Sequence, residues 1–157
     1  MSFMSKVKGK RTKEYDVINE EKYTGTDKPV IRSSWEYKFC EFLDMTPKIL
    51  QWASEPLAIP YYDNAKRDER GRPVARRYYP DFIAKVQGKD GKDHVYIIEI
   101  KPFYETRPPV KGKKSKRTLM REQFRYTTNM CKFKAAKLFC QQRNMEFKIV
   151  TEKDLFK

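Results

Sequence analysis

The chain has 157 residues, with 35 Lys and Arg against 21 Asp and Glu, which gives a formal net charge of +14. The length suffices for one domain with a hydrophobic core, whereas no stretch approaches the roughly 20 apolar residues of a membrane-spanning helix, and the N-terminus lacks the apolar segment of a signal peptide. The charge favours a polyanionic partner such as nucleic acid, with a basic protein lacking such a partner and an anionic membrane surface as the alternatives.

The N-terminal segment, residues 1–13, is basic and contains no acid. Such a segment is typical of a mobile basic arm that lies along phosphate, and equally of a solubilising tail. Residues 14–157 are expected to form one domain. Within it, polar composition and the breakers Gly25 and Pro29 predict a surface loop from Tyr15 to Arg32.

A first helix is predicted to begin after Ser33 and to end near Met45, before Pro47. Ser33 and Glu36 have the spacing of a capping box, and an apolar stripe follows at helical spacing, formed by Trp35, Phe39, Phe42 and Leu43. Glu36 therefore has two interpretations. It caps the amide of Ser33, or it is an acid that the helix delivers to a site, and the first does not exclude the second.

Two short strands are predicted next, at residues 48–52 and 57–62, and Pro60 places the second at a sheet edge or a bulge. Residues 63–77 are predicted to be a charged loop, whose cations are Lys66, Arg67, Arg70, Arg72, Arg76 and Arg77. These cations either meet a phosphate backbone or cover a solvated hairpin tip.

A β-hairpin is predicted from two β-rich segments, residues 78–83 and 96–102, which are separated by turn formers. If Gln87 pairs with Asp93, antiparallel register places Asp81 opposite Glu99. Because side chains alternate along a strand, Lys101 then shares a face with Glu99. The pattern predicts two carboxylates and a lysine at one end of the hairpin.

Opposed carboxylates repel each other across a sheet, and a divalent cation relieves the repulsion. Mg2+ prefers oxygen ligands and commonly uses one or two carboxylates, while a neighbouring lysine orients water or neutralises charge on a phosphoryl transition state. The alternative is a structural ion pair between Glu99 and Lys101, but Glu99 interrupts an apolar run, where an idle charge is costly. His94 is the only histidine, which argues against zinc sites and histidine-based catalysis.

A flexible, Lys-rich loop over the substrate side is predicted from Phe103 to Thr118. Residues 119–143 then form one long helix, or two joined near residues 127–128, with a buried stripe of Met120, Phe124, Cys131, Ala135 and Leu138. Asn129 and Lys132 share another face of this helix, which either points at the site or is solvated. A last strand at residues 146–150 and a short helix capped by Thr151 complete the chain, and the three cysteines are expected to be reduced and packed inside.

The order of these motifs, with Pro80-Asp81 followed by Glu99-Ile100-Lys101, resembles the PD-(D/E)XK nuclease superfamily. That resemblance implies an α/β (mixed α+β) fold, a single restriction-endonuclease-like domain whose mixed β-sheet is flanked by helices. Longer strings resemble the head-completion nuclease family of contractile-tailed phages, which is related to the endonuclease subunit that cuts transposon ends. These strings are residues 32–36, 52–56, 59–63, 77–82, 99–102 and 151–155, together with Asn129 and Lys132, and the likeness runs from about Tyr15 to the C-terminus.

The resemblance implies a role for each matching residue. Asp81 and Glu99 become the main metal ligands, with Glu36 as the helix-borne acid and Ile100 as a backbone carbonyl ligand. Lys101 becomes the lysine near the attacking water, and Asn129 and Lys132 become auxiliary residues. The cations expected to contact DNA are Arg32, Arg76, Arg77, Lys111, Lys113, Lys114, Lys116 and Arg117.

The implied function is a Mg2+- or Mn2+-dependent DNA nuclease that hydrolyses phosphodiester bonds of double-stranded DNA during phage head completion, before the head joins the tail. It implies action in the cytoplasm of an infected bacterial host, with retention in the virion left open. Phage head, portal-neck or packaging proteins are the implied partners. The alternatives are a non-catalytic basic protein that binds DNA or closes the head, and a junction or transposon-end endonuclease.

Overall fold

The centre of the fold is a mixed four-stranded sheet. In the computed structural model, which describes residues 13–156, its strands lie in the order β3 (Ile49–Ser54), β6 (Phe82–Gln87), β7 (Asp93–Ile100) and β8 (Glu146–Val150). The pairs β3–β6 and β6–β7 are antiparallel, and β8 pairs with β7 in parallel. The predicted mixed sheet is therefore confirmed. The predicted basic arm, apart from Lys13, lies outside the described residues.

Helices flank this sheet on both faces. Phe39 and Leu43 of α1 (Ser34–Met45) pack with Phe82 and Ile98 of the sheet in one buried cluster. The helix α2 (Lys116–Gln141) packs through Ala136 in a second cluster, which also contains Phe147 of β8. Because side chains alternate along β7, Ile98 faces α1 and Glu99 faces the α2 side.

The predicted charged loop at residues 63–77 is wrong. This part of the chain forms an antiparallel hairpin from β4 (Ile59–Arg67) and β5 (Pro73–Tyr78), which is a separate two-stranded sheet. Ile59, Tyr61 and Asp63 are buried while Pro60 and Tyr62 between them are exposed. A period of two is therefore present, but a buried acid and an exposed tyrosine obscure it in the sequence. The edge position predicted for Pro60 is confirmed, because β4 belongs to a two-stranded sheet.

The prediction of a surface loop at residues 15–32 is correct for most of the segment, which is irregular apart from a 3-10 turn at Glu20–Lys22, but not for its ends. Val30–Ile31 forms β2, which pairs with β1 (Lys13–Glu14) just before the segment, and Tyr15 and Ile31 enter the core at 3% and 1% exposure. The segment is held by Asp44, whose carboxylate accepts a 2.7 Å hydrogen bond from the Tyr15 hydroxyl and two more from backbone amides. A buried acid on α1 thus orders a segment whose own composition is polar.

The two shorter helices and the last strand lie where the sequence predicted them. Ser33 is the N-cap of α1, which ends at Met45. The strand β8 is followed by α3 (Glu152–Leu155), where Thr151 and Asp154 form a capping box.

The long helix differs from its prediction in its start and its buried face. It is one continuous helix that begins at Lys116, so Lys116 and Arg117 are not loop residues, and the preceding loop contains a short 3-10 helix, Phe103–Thr106. The predicted stripe is wrong at Met120, Phe124 and Leu138, which are among the exposed apolar residues, while Cys131 and Ala135 are half-buried against the second cluster. The buried positions are instead Asn129, Phe133, Ala136 and Cys140, which have the same helical spacing in another phase.

The three cysteines are free, and Cys40 and Cys140 are buried as expected, while Cys131 is half-buried. No helix within residues 13–156 is both long and apolar enough to cross a membrane.

Candidate active site

The hairpin of β6 and β7 has the predicted register. Gln87 pairs with Asp93 and Phe82 with Ile98, so Asp81, which directly precedes β6, lies opposite Glu99 when the register is continued by one residue. The side chain of Asp81 then closes the end of the hairpin, because its Oδ2 accepts a 2.7 Å hydrogen bond from the amide of Ile100. The amide of Ile100 therefore fixes this carboxylate, while the role of its carbonyl stays a prediction.

Glu99 is buried, at 7% exposure, and both of its oxygens have partners. Tyr78 donates a 2.6 Å hydrogen bond to Oε1, and Nζ of Lys101 lies 3.6 Å from Oε2. Sequence reasoning missed Tyr78 as a site residue. Tyr78 lies on β5, which belongs to a different sheet. The alternation of residues along one strand therefore does not predict a contact between its hydroxyl and Glu99. The one indication in the sequence is its position three residues before Asp81.

Glu36 lies in the first turn of α1 and has a hydrogen-bonding pattern different from the predicted capping box. Ser33 Oγ accepts from the amide of Glu36 at 3.1 Å, which is the expected half of the motif. The carboxylate of Glu36 accepts instead from the amide of Arg32, at 3.2 Å. The helix is thus capped by Ser33, and Glu36 also interacts electrostatically with Glu99 and Asp81.

The three carboxylates perturb one another. Burial raises the pKa of Asp81 well above its ordinary value, and the negative charges of Glu99 and Glu36 raise it further. Burial also raises the pKa of Glu36, against the opposing effect of Arg32, and that of Glu99, against the opposing effects of Lys101 and Tyr78. Such a cluster is stabilised by a retained proton or by a cation.

The oxygen donors suit a hard cation that also binds water and substrate better than a metal ion coordinated by protein ligands alone. Within residues 13–156, no three His, Cys, Asp or Glu side chains form a group that could hold a metal ion by themselves. Mg2+, however, needs only one or two protein carboxylates and completes its shell with water and substrate phosphate oxygens. Asp81 and Glu99 offer oxygen donors alone, so this pair fits an ion that is held jointly with the substrate.

Two residues of α2 lie on the same side of the sheet. Lys132 is half-buried, with Nζ 5.7 Å from the ring centroid of Tyr78, and its pKa is lowered by burial and by the charge of Lys101, while Glu99 opposes the shift. Asn129 is 3% exposed and lines a cavity. Neither residue therefore lies on the solvated helix face that was the alternative.

Asp63 is a further buried acid, at the start of the segment for which the sequence predicts a charged loop. Its carboxylate accepts hydrogen bonds from the hydroxyl of Thr128 at 2.9 and 3.0 Å and from the amide of Ala65 at 3.0 Å. It joins β4 to α2 and so holds the hairpin that carries Tyr78. The alternation of buried residues along β4 was the signal that could have revealed it.

The cations predicted to contact DNA fall into two groups. The first already has partners within the protein: Arg32 pairs with Glu55, Arg76 lies 3.6 Å from Asp63, Lys111 donates to the carbonyl of Lys114, and Lys114 pairs with Glu122 at 2.6 Å. The second group has exposed side chains and consists of Arg77, Lys113, Lys116 and Arg117. The two groups thus differ in their contacts within the protein and not in their exposure, because Arg32, Arg76 and Lys111 are exposed as well.

Two comparisons with known proteins bear on this geometry. A family model described as TnsA-like endonuclease N terminal matches residues 46–152. The head completion nuclease of Enterobacteria phage T4 is 38% identical over 142 residues, which covers 87% of this chain and 88% of that protein. The family-model range includes Asp81, Glu99, Lys101 and Lys132 and begins after Glu36.

Proposed function

The chain belongs to the TnsA-like endonuclease family, and on that premise we propose that it is a DNA nuclease acting in phage head completion. Its relative from phage T4 is named head completion nuclease. The observation that carries the proposal is the meeting of Asp81, Glu99 and Lys101 at one end of the β6–β7 hairpin, in a chain with a net charge of +14. The reaction is hydrolysis of phosphodiester bonds in packaged DNA before the head joins the tail.

The cleavage is proposed to depend on Mg2+ or Mn2+. Asp81 and Glu99 would hold the ion, with Glu36 and the carbonyl of Ile100 as further ligands. The bound ion supplies Lewis-acid activation of water and of the phosphate. The raised pKa values of the three carboxyl groups support this assignment. Burial and, for Asp81 and Glu36, the neighbouring negative charges favour the protonated form, and a bound cation would favour the ionised form instead.

The remaining residues position charge around the reacting phosphate. Lys101, held by Glu99, places a positive charge beside the cluster and stabilises the negative charge that develops on the phosphate oxygens. Lys132 adds a second positive charge from α2. Tyr78 fixes one oxygen of Glu99 and leaves the other beside Lys101.

Binding is proposed to rest largely on contacts between cations and phosphates of double-stranded DNA. The exposed group, Arg77, Lys113, Lys116 and Arg117, is best suited to such contacts. Phosphate contacts carry no direct sequence information, so we expect little sequence preference.

The experiment that tests the proposal is incubation of supercoiled plasmid with the protein in Mg2+ and in EDTA. We expect nicking or linearisation in Mg2+ alone. Salt-sensitive binding without nicking in either condition would favour a non-catalytic protein that binds DNA or closes the head. The family match also favours a second candidate, a junction or transposon-end endonuclease, which preferential cleavage of branched over linear DNA would identify.

A further inference from the structure

A cavity of about 380 Å³ is lined by Asn129 and by residues that follow Lys101 in the chain, and it has no role in the chemistry above. One wall is the chain that follows β7, from Phe103 to Val110, and the other is the N-terminal half of α2. Its volume is in the range of pockets that hold a small organic group. It therefore has room for a single ring system and not for the width of a duplex.

The lining of the cavity is rich in side chains that contain a ring. Phe103, Tyr104 and Tyr126 contribute aromatic rings, and Pro108 and Pro109 contribute pyrrolidine rings. Tyr104 is 68% exposed, an unusual exposure for so large a side chain. Aromatic surfaces that remain accessible are platforms on which a nucleobase stacks, whatever its identity.

Two exposed arginines, Arg107 and Arg125, line the cavity. The guanidinium of Arg107 lies 5.3 Å from the ring centroid of Phe103. Since Lys114 is already paired with Glu122, these two arginines are the cations best placed for a phosphate next to a bound ring.

The cavity is close to the proposed cleavage site along both of its walls. Phe103 follows Lys101 by two residues, and Asn129 lines the cavity one helical turn from Lys132. Tyr126 and Lys132 are separated by about 9 Å along the axis of α2. A stacked DNA strand covers that distance in two to three nucleotides at about 3.4 Å each.

We propose that this cavity binds an unpaired nucleobase of the DNA strand whose backbone lies at the carboxylate cluster. The inference rests on the proposed nuclease function and narrows its substrate to DNA with a single-stranded end or a frayed or flipped nucleotide. Tyr104 and Tyr126 stack on the base, and Arg125 and Arg107 meet the adjoining phosphates. A duplex without an unpaired base leaves the cavity unused.

The test compares three DNA duplexes of the same length by fluorescence anisotropy in EDTA. One has a three-nucleotide overhang, one has the same overhang with abasic sugars, and one is blunt. Because the two overhangs carry the same phosphates, any difference between them reports the bases. We expect the base-containing overhang to bind at least about fivefold more tightly than the abasic one, since stacking on an aromatic side chain contributes that much or more per base.

The variants Tyr104→Ala and Tyr126→Ala should each reduce this difference while leaving affinity for the abasic overhang unchanged. Tyr62→Ala is the matched control, because Tyr62 is 69% exposed and lies on β4, outside the cavity. A 2-aminopurine base in the overhang should also be quenched by the unsubstituted protein, and less strongly by Tyr104→Ala.

Equal affinity for the two overhangs would overturn the cavity proposal and leave the nuclease proposal standing. So would a difference that survives both cavity substitutions, or one that Tyr62→Ala removes equally well. Failure to bind any of the three duplexes at low salt would instead contradict the proposed function itself.

Discussion

The hydroxyl of Tyr78 donates a 2.6 Å hydrogen bond to Oε1 of Glu99, so a residue of the two-stranded sheet fixes a carboxylate of the central sheet. Burial and the negative charge of Glu99 raise the pKa of Tyr78 far above its ordinary value. The hydroxyl therefore keeps its proton and acts only as a donor. Its effect is to orient Glu99, whose Oε2 lies 3.6 Å from Lys101.

The variant Tyr78→Phe removes this hydrogen bond and keeps the ring, which packs 6.5 Å from Phe133. Residues that orient a metal ligand commonly contribute about 10- to 100-fold in metal affinity or activity. We expect a loss of that size in Mn2+ affinity, measured by calorimetry. Tyr61→Phe is the matched control, since Tyr61 is a buried tyrosine of the same hairpin and the same apolar cluster. Equal losses in the two variants would show that Tyr78 has no specific effect on Glu99.

The variant Lys101→Ala removes the positive charge that lies beside Glu99. Loss of one group that stabilises developing negative charge costs about 10²- to 10³-fold in rate, and we expect such a loss of Mg2+-dependent plasmid cleavage with DNA binding largely retained. Lys89→Ala is the control, because Lys89 is an exposed lysine in the turn at the other end of the same hairpin. Asp81→Ala should likewise abolish cleavage. If both Lys101→Ala and Asp81→Ala still cleave at the wild-type rate, the site assignment is wrong.

The raised pKa of Asp81 predicts how stability depends on pH without a metal. The folded protein binds the proton of the Asp81 carboxyl group more tightly than the unfolded chain does. As the pH rises from the ordinary pKa of this group through its folded pKa, its ionisation therefore lowers the free energy of unfolding. In urea unfolding with EDTA, Asp81→Asn should therefore have a higher free energy of unfolding than the wild type at pH 8. This difference should be smaller at pH 4. Addition of Mg2+ should reduce that gain, because the cation offsets the repulsion only in the wild type. A gain that is the same at both pH values would contradict the proposed electrostatics.

Asp44 provides a contrast of opposite sign. Burial raises its pKa, but hydrogen bonds from the amides of Ile18 and Asn19 and the hydroxyl of Tyr15 outweigh that effect and lower it. Its ionised form therefore stabilises the fold above the ordinary pKa, and this contribution is lost as the pH falls through the folded pKa. Hydrogen bonds to a charged group contribute about 1.5–3 kcal/mol, so Asp44→Asn should lose about that much at pH 7, measured by urea unfolding. A neutral result would mean that residues 15–22 are held by other contacts.

The two groups of cations should differ in their effect on DNA binding. Each phosphate contact contributes about 0.9 to the slope of log affinity against log salt concentration for duplex DNA. Removal of the exposed pair in Lys116→Ala/Arg117→Ala should reduce the slope by about 1 to 2. Lys114→Ala, whose lysine is paired with Glu122, should change it less. Anisotropy titrations at several salt concentrations measure both slopes, and equal slopes for all three proteins would exclude these residues from the interface.

The sequence was most informative where structure is determined locally. The turn between β6 and β7 and the alternation of their residues set the register, so the sequence alone predicts that Asp81 lies opposite Glu99. Ser33 likewise marked the start of α1 through its own side chain. The roles of these residues in a metal site stay predictions, although their proximity is a property of the fold.

Two of the differences share a physical cause, which is that polar groups are satisfied by distant partners. Residues 15–32 looked like a surface loop because the acid that orders them, Asp44, lies on α1. Asp63 looked like a loop residue because its partner, Thr128, lies on α2. The buried face of α2 was misassigned because apolar residues occur all around that helix, and only its packing partners select Phe133 and Ala136.

The central claim is that Asp81 and Glu99 hold a divalent cation next to Lys101. Anomalous diffraction from crystals of the protein soaked in Mn2+ tests it most directly. The account predicts a peak coordinated by carboxylate oxygens of both Asp81 and Glu99, with Tyr78 still bound to the other oxygen of Glu99. A Mn2+ peak bound elsewhere, with Asp81 and Glu99 free of the ion, would contradict it.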